Sequence, residues 1–270
     1  RAVQLDADTY TSPHSYDIAR LAAGAACQAV EHALDQDAVA CAFVRPPGHH
    51  AERNRAMGFC LFNNVAVAAA HAVARGVSRV AIVDIDVHHG NGTQWMFYDE
   101  AQVLYLSLHQ FPFYPGTGAA GEIGRGAGEG TTVNVPLEAG ATDADYRRVW
   151  GGVADPVLEA FRPELLLVSA GFDAHARDPL AYMRLSTAGF EGIVRALWHR
   201  AQAGCGGRMA IVTEGGYDLE ALEESLSMML QVVSDPAEAA PWVDEGTSAP
   251  RGETAAAAVR AALRSYWPTL

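Results

Sequence analysis

An α/β fold, with a mostly parallel sheet and helices on both faces, is the class this sequence predicts, and three observations predict it. Apolar strand-like runs alternate with segments of helical spacing along most of the 270 residues, the pattern of βαβ units. The strand-like runs are short and rich in Val, Ile and Leu, as buried strands are. Polar, chemistry-bearing residues recur at the carboxyl ends of those runs, where such sheets bind ligands.

The elements follow in chain order. "SYDIARLAAGAACQAVEHAL" (Ser15–Leu34) spaces its apolar residues as a helix does, and "VACAFV" (Val39–Val44) reads as a buried strand. A Gly/Pro/His/Arg loop leads to the helical Asn63–Ala74 and the strand Arg79–Asp86. Gln102–His109 is a further strand, and a long Gly-rich loop runs from Gln110 to Gly130. After "TTVNVPL" the pattern predicts a helix over Asp143–Phe161 and a strand over Glu164–Asp173. A helix at Thr187–Ala203, a strand at Arg208–Gly216 and the helix "DLEALEESLSMMLQVV" complete the order. Ser234–Glu253 is a Pro/Ala/Glu-rich stretch leading into a last short helix, "TAAAAVRAALRSYW". Residues 1–270 are read as one domain, since no linker-like break or repeat precedes Ser234.

Composition narrows the classes. Lys and Arg total 19 against 32 Asp and Glu, a net charge of −13, and no basic cluster exists to bind a phosphate backbone. An acidic surface tolerates basic partners such as lysine-rich tails or polyamines. Cys27, Cys41, Cys60 and Cys205 are scattered without a C-x-x-C, which argues against a zinc ribbon or disulfide scaffold and for a reducing, cytoplasmic setting. No apolar run approaches the roughly 20 residues of a membrane span, and residues 1–12 do not resemble a signal peptide.

"VDIDVHHGNGT" (Val83–Thr93) carries the chemistry. Two aspartates and two histidines occupy six positions after an apolar run, a costly burial unless a metal or mutual pairing compensates it. Asp86 and His88 stand two apart at a strand end and are expected to face one way; Asp173 closes another strand and is the candidate third ligand. Three protein ligands leave positions open for water and substrate, the form of a catalytic zinc site, although the oxygen-rich set also suits Fe²⁺ or Mn²⁺. In "RPPGHH", His49 and His50 are candidates for the general base and acid that a metal-bound water and a departing amine require. "TEGGY" places Tyr217 after a glycine turn, where a phenol can donate to a developing oxyanion.

Together "RPPGHH", "GFCLFNN", "DIDVHHGNGT", "SLHQFPFYPGTG", "SAGFDAHARDPL" and "EGGY" resemble the zinc-dependent histone deacetylase family, in the form of its bacterial class II-like members, the histone deacetylase-like amidohydrolases and acetylpolyamine amidohydrolases. The resemblance runs from about Leu5 to Trp267. It implies a three-layer arginase/deacetylase-like fold and hydrolysis of N-acyl amides to amine plus carboxylate. It implies Asp86, His88 and Asp173 as zinc ligands, His49 and His50 as the tandem histidines, and Tyr217 as the transition-state tyrosine. Asp84 then orients His49, and Asn91 stands behind His50 where some members carry Asp; an amide stabilises imidazolium less than a carboxylate does. Gly58, Phe59 and Tyr114 fall on a narrow acyl-lysine channel, with Leu180 at the rim where a specialised polyamine deacetylase carries Glu. Asp84, Asp86 and His88 with Ser107 and Leu108 match a potassium site of the family, and Phe97 and Val103 a second monovalent-cation site. The resemblance also implies a segment before Leu5, with a first strand and a rim loop, that this sequence does not contain.

The substrate expected is an acetylated lysine peptide, or else an acetylated small amine on the same catalytic core. A different class, an acyl-lysine-binding scaffold with lapsed catalysis, would be favoured by loss of Tyr217, a zinc ligand or the histidines, and none is lost. An arginase would need a two-metal, Asp-richer site. Neither nucleic acid nor membrane is an expected partner, and a homo-oligomer stays open.

Overall fold

The computed structural model describes residues 2–270. A short antiparallel hairpin, β1 (Val3–Gln4) with β2 (Tyr10–Thr11), precedes α1 (Ser15–Gln36). Then come β3 (Val39–Ala42), α2 (Asn64–Ala74), β4 (Val80–Asp84), α3 (Asn91–Phe97), β5 (Val103–Gln110) and β6 (Thr132–Leu137). The second half runs α4 (Asp143–Val149), α5 (Asp155–Phe161), β7 (Leu165–Ala170), α6 (Thr187–Cys205), β8 (Met209–Thr213), α7 (Leu219–Ser234) and α8 (Pro250–Leu263). Strands β3 to β8 form one parallel sheet in the order β3-β8-β7-β4-β5-β6.

Side-chain alternation divides the sheet between two cores. Ala81, Val83, Leu104, Leu106, Leu166 and Val168 face the side covered by α4 to α8, where Trp150, Phe190 and Leu197 are buried. Their neighbours Val80, Ile82, Tyr105, Leu165 and Leu167 face α1 and α2, across Val30, Val65 and Ala69. This is the three-layer arrangement expected. Every residue of β4 is buried. Each Val or Ile there contributes about 1.5–3 kcal/mol, which offsets the cost of ending the strand on a carboxylate.

From β4 the chain crosses outward to β5 and β6, then returns to lay β7 on the other side of β4 and moves on to β8. The crossover direction reverses between β4 and β7, so a crevice opens beyond their carboxyl ends.

Three local differences from the sequence reading have physical causes. β4, β7 and β8 end at Asp84, Ala170 and Thr213, two to three residues short of the ends expected from the sequence, because residues shaping a site need backbone freed from the ladder. Asp86 and His88 therefore do not share a direction through strand alternation; they converge on a bend. The helix over Asp143–Phe161 is interrupted by a π-helical turn, Trp150–Ala154, at "WGGVA", where two glycines lower helical preference. The last helix starts at Pro250, a residue suited to a first turn. No helix among the described residues is long and apolar enough to cross a membrane.

Candidate active site

Asp86 follows β4 and Asp173 follows β7, so the reversal point brings together two carboxylates 87 positions apart in sequence. Asp86, His88 and Asp173 offer one donor atom each within 4.8 Å of one another. His88 Nδ1 lies 3.1 Å from both Asp86 Oδ1 and Asp173 Oδ2. The outer oxygens are held by backbone: Val87 N–H donates to Asp173 Oδ1 at 2.9 Å and Gly215 N–H to Asp86 Oδ2 at 2.9 Å. Glycine is required around them, since a Cβ on Gly171 would sit 2.1 Å from Asp86 Oδ2 and one on Gly215 2.3 Å from Asp173 Oδ2.

Two fully buried carboxylates around one imidazole call for a cation. Burial alone would lower the His88 pKa, but hydrogen bonds to Asp173 and Asp86 raise it to about 10, so a proton does here what a divalent ion does better. Burial raises Asp173, with the Asp86 charge beside it, to about 6. An Asp–His–Asp set in this state fits Zn²⁺, whose binding displaces such protons.

The cis-proline loop after β3 sets His49 and His50 beside this cluster, both buried. His49 Nδ1 donates to Asp84 Oδ2 at 3.0 Å, and Tyr105 O–H donates to the same oxygen at 3.1 Å. Burial opposes a charged His49, yet Asp84, then Asp86 and Glu214, hold its pKa well above the ordinary value. His50 has the opposite balance: burial, followed by the charges of His49 and His88, pushes it well below. Its Nδ1 lies 2.8 Å from Asn91 Oδ1, and Asn91 Nδ2 donates to Glu52 Oε1 at 2.7 Å. Two adjacent imidazoles whose pKa values are pushed in opposite directions are a pair fitted for acid–base work.

A cavity of about 220 Å³ opens over these groups and is lined by His49, His50, Asp86, His88, Gly58, Phe59, Tyr114, Leu180 and Tyr217. Phe59 opposes Tyr217 at 6.1 Å between ring centres, and Tyr114 stands edge-on to His50 at 5.1 Å. Gly58 and Phe59 both adopt left-handed backbone, with φ of 57° and 66°. A Cβ at Gly58 would meet the His50 ring at 2.3 Å. Of the remaining residues singled out from sequence, Ser107 pairs with Asp84 across β5 and β4, Leu108 follows it, and Phe97 and Val103 stand apart at the end of α3 and the start of β5.

Several contributors escaped the sequence reading. Phe113 stacks on His88 at 5.3 Å and lines the cavity with Pro47 and Asp8; adjacent aromatics in "FPFY" signal a wall without saying which ring forms it. Asp8 lies in the polar leader, where no periodicity marks it, and accepts from Gly58 N–H at 3.1 Å. Asp178 accepts from Tyr217 N–H at 2.7 Å and Leu180 N–H at 2.9 Å. Glu214 accepts from Gly48 and His49 N–H and from Ser169 O–H.

By its sheet order and the placement of this site, the protein is an arginase/deacetylase-like α/β protein with an Asp–His–Asp cluster that could hold a metal ion. Residues 1–233 match the histone deacetylase domain. The chain is 44% identical over 244 residues to a histone deacetylase-like amidohydrolase of Pseudomonas aeruginosa, covering 86% of this chain and 64% of that one. It is 42% identical over 226 residues to the chloroplastic histone deacetylase 14 of Arabidopsis thaliana, covering 81% of this chain and 53% of the relative. The crystal structure of the HDA15 HD domain superposes with a TM-score of 0.90 at 39% identity, over 99% of this chain and 73% of that one. The chain belongs to the histone deacetylase family, in which zinc dependence is typical. It spans about half to two-thirds of the length of these two relatives.

Proposed function

We propose that this chain is a zinc-dependent deacylase that hydrolyses acetyl amides of lysine side chains or related amines. The observation that carries this is the position of a low-pKa His50 and a high-pKa His49 beside the Asp86–His88–Asp173 cluster, at the floor of an aromatic-walled cavity.

Asp86, His88 and Asp173 would hold the ion. Zinc, when bound, polarises the acyl carbonyl and lowers the pKa of its water from 15.7 towards about 7. His50, neutral and turned by Asn91 to leave Nε2 free, takes the proton of the attacking water. His49, kept cationic by Asp84, steadies the negative charge that develops and is a proton source for the departing amine. Tyr217 donates its phenol hydrogen to the oxyanion; burial and the Asp86 and Asp173 charges raise its pKa, so it stays a donor across the working pH range. Gly58, Phe59, Tyr114 and Leu180 exclude water around the aliphatic chain of the substrate.

The loop backbone of Asp84, Asp86 and His88 beside Ser107 and Leu108 is proposed to take potassium, with Phe97 and Val103 near a second monovalent cation. We read the 270 residues as one catalytic domain of a cytoplasmic enzyme, a placement that four free cysteines support. Acetylated lysine peptides are the preferred substrate class, because uncharged Leu180 at the rim offers nothing to a polyamine cation. Acetate release from the zinc-loaded protein, with an acetyl-lysine peptide and acetylated polyamines in parallel and Asp173→Ala as blank, tests this. Zinc-dependent turnover, faster on the peptide, is expected. Stoichiometric zinc without turnover on either would overturn it and favour a binding protein.

A further inference from the structure

Behind His50 the polar chain does not stop at Asn91. Asn91 is a neutral amide, 2% exposed, and an amide can face a histidine in two ways. With Oδ1 toward His50, Nδ1 must carry the imidazole proton and Nε2 keeps its lone pair. With Nδ2 toward His50, Nδ1 must accept and the proton moves to Nε2, where no lone pair remains for water. A carboxylate in Asn91's place would enforce the first form by itself; an amide does not.

Glu52 removes the ambiguity. Its Oε1 lies 2.7 Å from Asn91 Nδ2, and an ionised carboxylate only accepts. The two other groups near Nδ2, Met57 Sδ at 3.4 Å and the His50 carbonyl at 3.5 Å, are weaker acceptors. Asn91 is Glu52's side-chain partner; the neighbouring Arg55 pairs with Asp6 instead. Glu52 sits two residues after His50, on the turn whose backbone pairs with Arg55, so the loop that carries His50 also carries the group that fixes it.

We propose that Glu52 is a positioning residue that sets the tautomer of His50 through Asn91: a His–Asn–Glu relay in which the charge stands one residue further out than in a His–carboxylate pair. This rests on the reading of His50 as the base. Glu52 does not line the cavity and hydrogen-bonds to none of Asp86, His88 and Asp173; it acts by holding an amide.

The test uses zinc-loaded protein labelled with [¹⁵N]histidine and long-range ¹H–¹⁵N correlation spectra, with His50 assigned by its loss in His50→Gln. The wild type and Glu52→Gln, whose amide oxygen can still accept, should show a protonated Nδ1 and a bare Nε2. Glu52→Lys presents only donors, should reverse the amide, and should move the proton to Nε2. In step, kcat should fall on the order of 10²-fold in Glu52→Lys, as for loss of a general base, with zinc stoichiometry and KM held, and stay within several-fold of wild type in Glu52→Gln. A protonated Nε2 in the wild type, or an unchanged His50 tautomer in Glu52→Lys, would overturn the relay. Should the lysine variant not fold, Glu52→Ala replaces it: a mixture of both His50 tautomers supports the relay and a pure Nδ1–H form refutes it. Because the spectra need no substrate, a wild type with the tautomer described but no turnover would sink the deacylase reading alone.

Discussion

Asp178→Asn should separate the support of Tyr217 from the metal site. Asp178 is 7% exposed and spends one oxygen on Tyr217 N–H, at 2.7 Å, and the other on Leu180 N–H, at 2.9 Å. Asparagine is the same size but keeps one acceptor, so one backbone donor must face an NH₂ group. A hydrogen bond to a charged group is worth about 1.5–3 kcal/mol, and that is the expected loss of stability. At roughly 2–4 °C per kcal/mol for a chain of this size, Tm should fall by about 3–12 °C. Relaxing the clash moves the turn that carries Tyr217. Since a whole oxyanion donor is worth about 10²–10³ in kcat, a misplaced one should cost at least about tenfold. Zinc stoichiometry should stay at one, because Asp178 bonds to none of Asp86, His88 and Asp173. Thermal melts, metal analysis and acetate release on one preparation decide the matter. A variant with lowered Tm and full kcat would refute the reasoning, since Tyr217 would then hold its place without Asp178.

Tyr217→Phe should lower kcat by about 10²–10³ with metal retained; steady-state kinetics at matched zinc content would show it, and full activity would remove Tyr217 from the reaction. Gly215→Ala places a Cβ 2.3 Å from Asp173 Oδ2, so zinc affinity measured by competition with a chelator should drop steeply. The His49–Asp84 pair gives a pH signature. Because the folded-state pKa of His49 is raised, the pair's contribution is present around pH 6.5, the unfolded value, and disappears as pH rises through the folded-state pKa; at the acid end it is lost as Asp84, whose own pKa burial raises, takes up a proton. The Tm gap between wild type and Asp84→Asn should therefore narrow as pH rises above neutrality, and a gap that widens would mean the pair is not charged.

The alternation of apolar runs was enough to read the α/β class, because a two-sided sheet imposes its period on every strand. The Asp–His cluster was legible because buried charge is rare and local in sequence. What stayed hidden is contact between distant segments. Asp178 looks like a surface acid in one dimension and Glu214 like one more polar residue at a strand end, and only the fold shows that their oxygens meet N–H groups of Tyr217 and His49. Asp86 and His88 do face one site, as their spacing suggests, but through a bend and not through strand alternation, since alternation is a rule of the ladder and the ladder ends at Asp84. Asp8 had no signal at all, since its role depends on a two-residue hairpin too short to show a period.

That hairpin has a consequence for how the binding channel can change. Phe59 is held in left-handed backbone, a conformation that costs an ordinary side chain about 1–2 kcal/mol, by hydrogen bonds from Gly58 N–H to Asp8 and from Phe59 N–H to Thr9. One wall of the channel is thus a sprung part whose catch lies in another segment. Loosening the catch would let the wall swing without altering any group that handles protons or metal, so substrate range and reaction chemistry can drift independently in descendants of this protein.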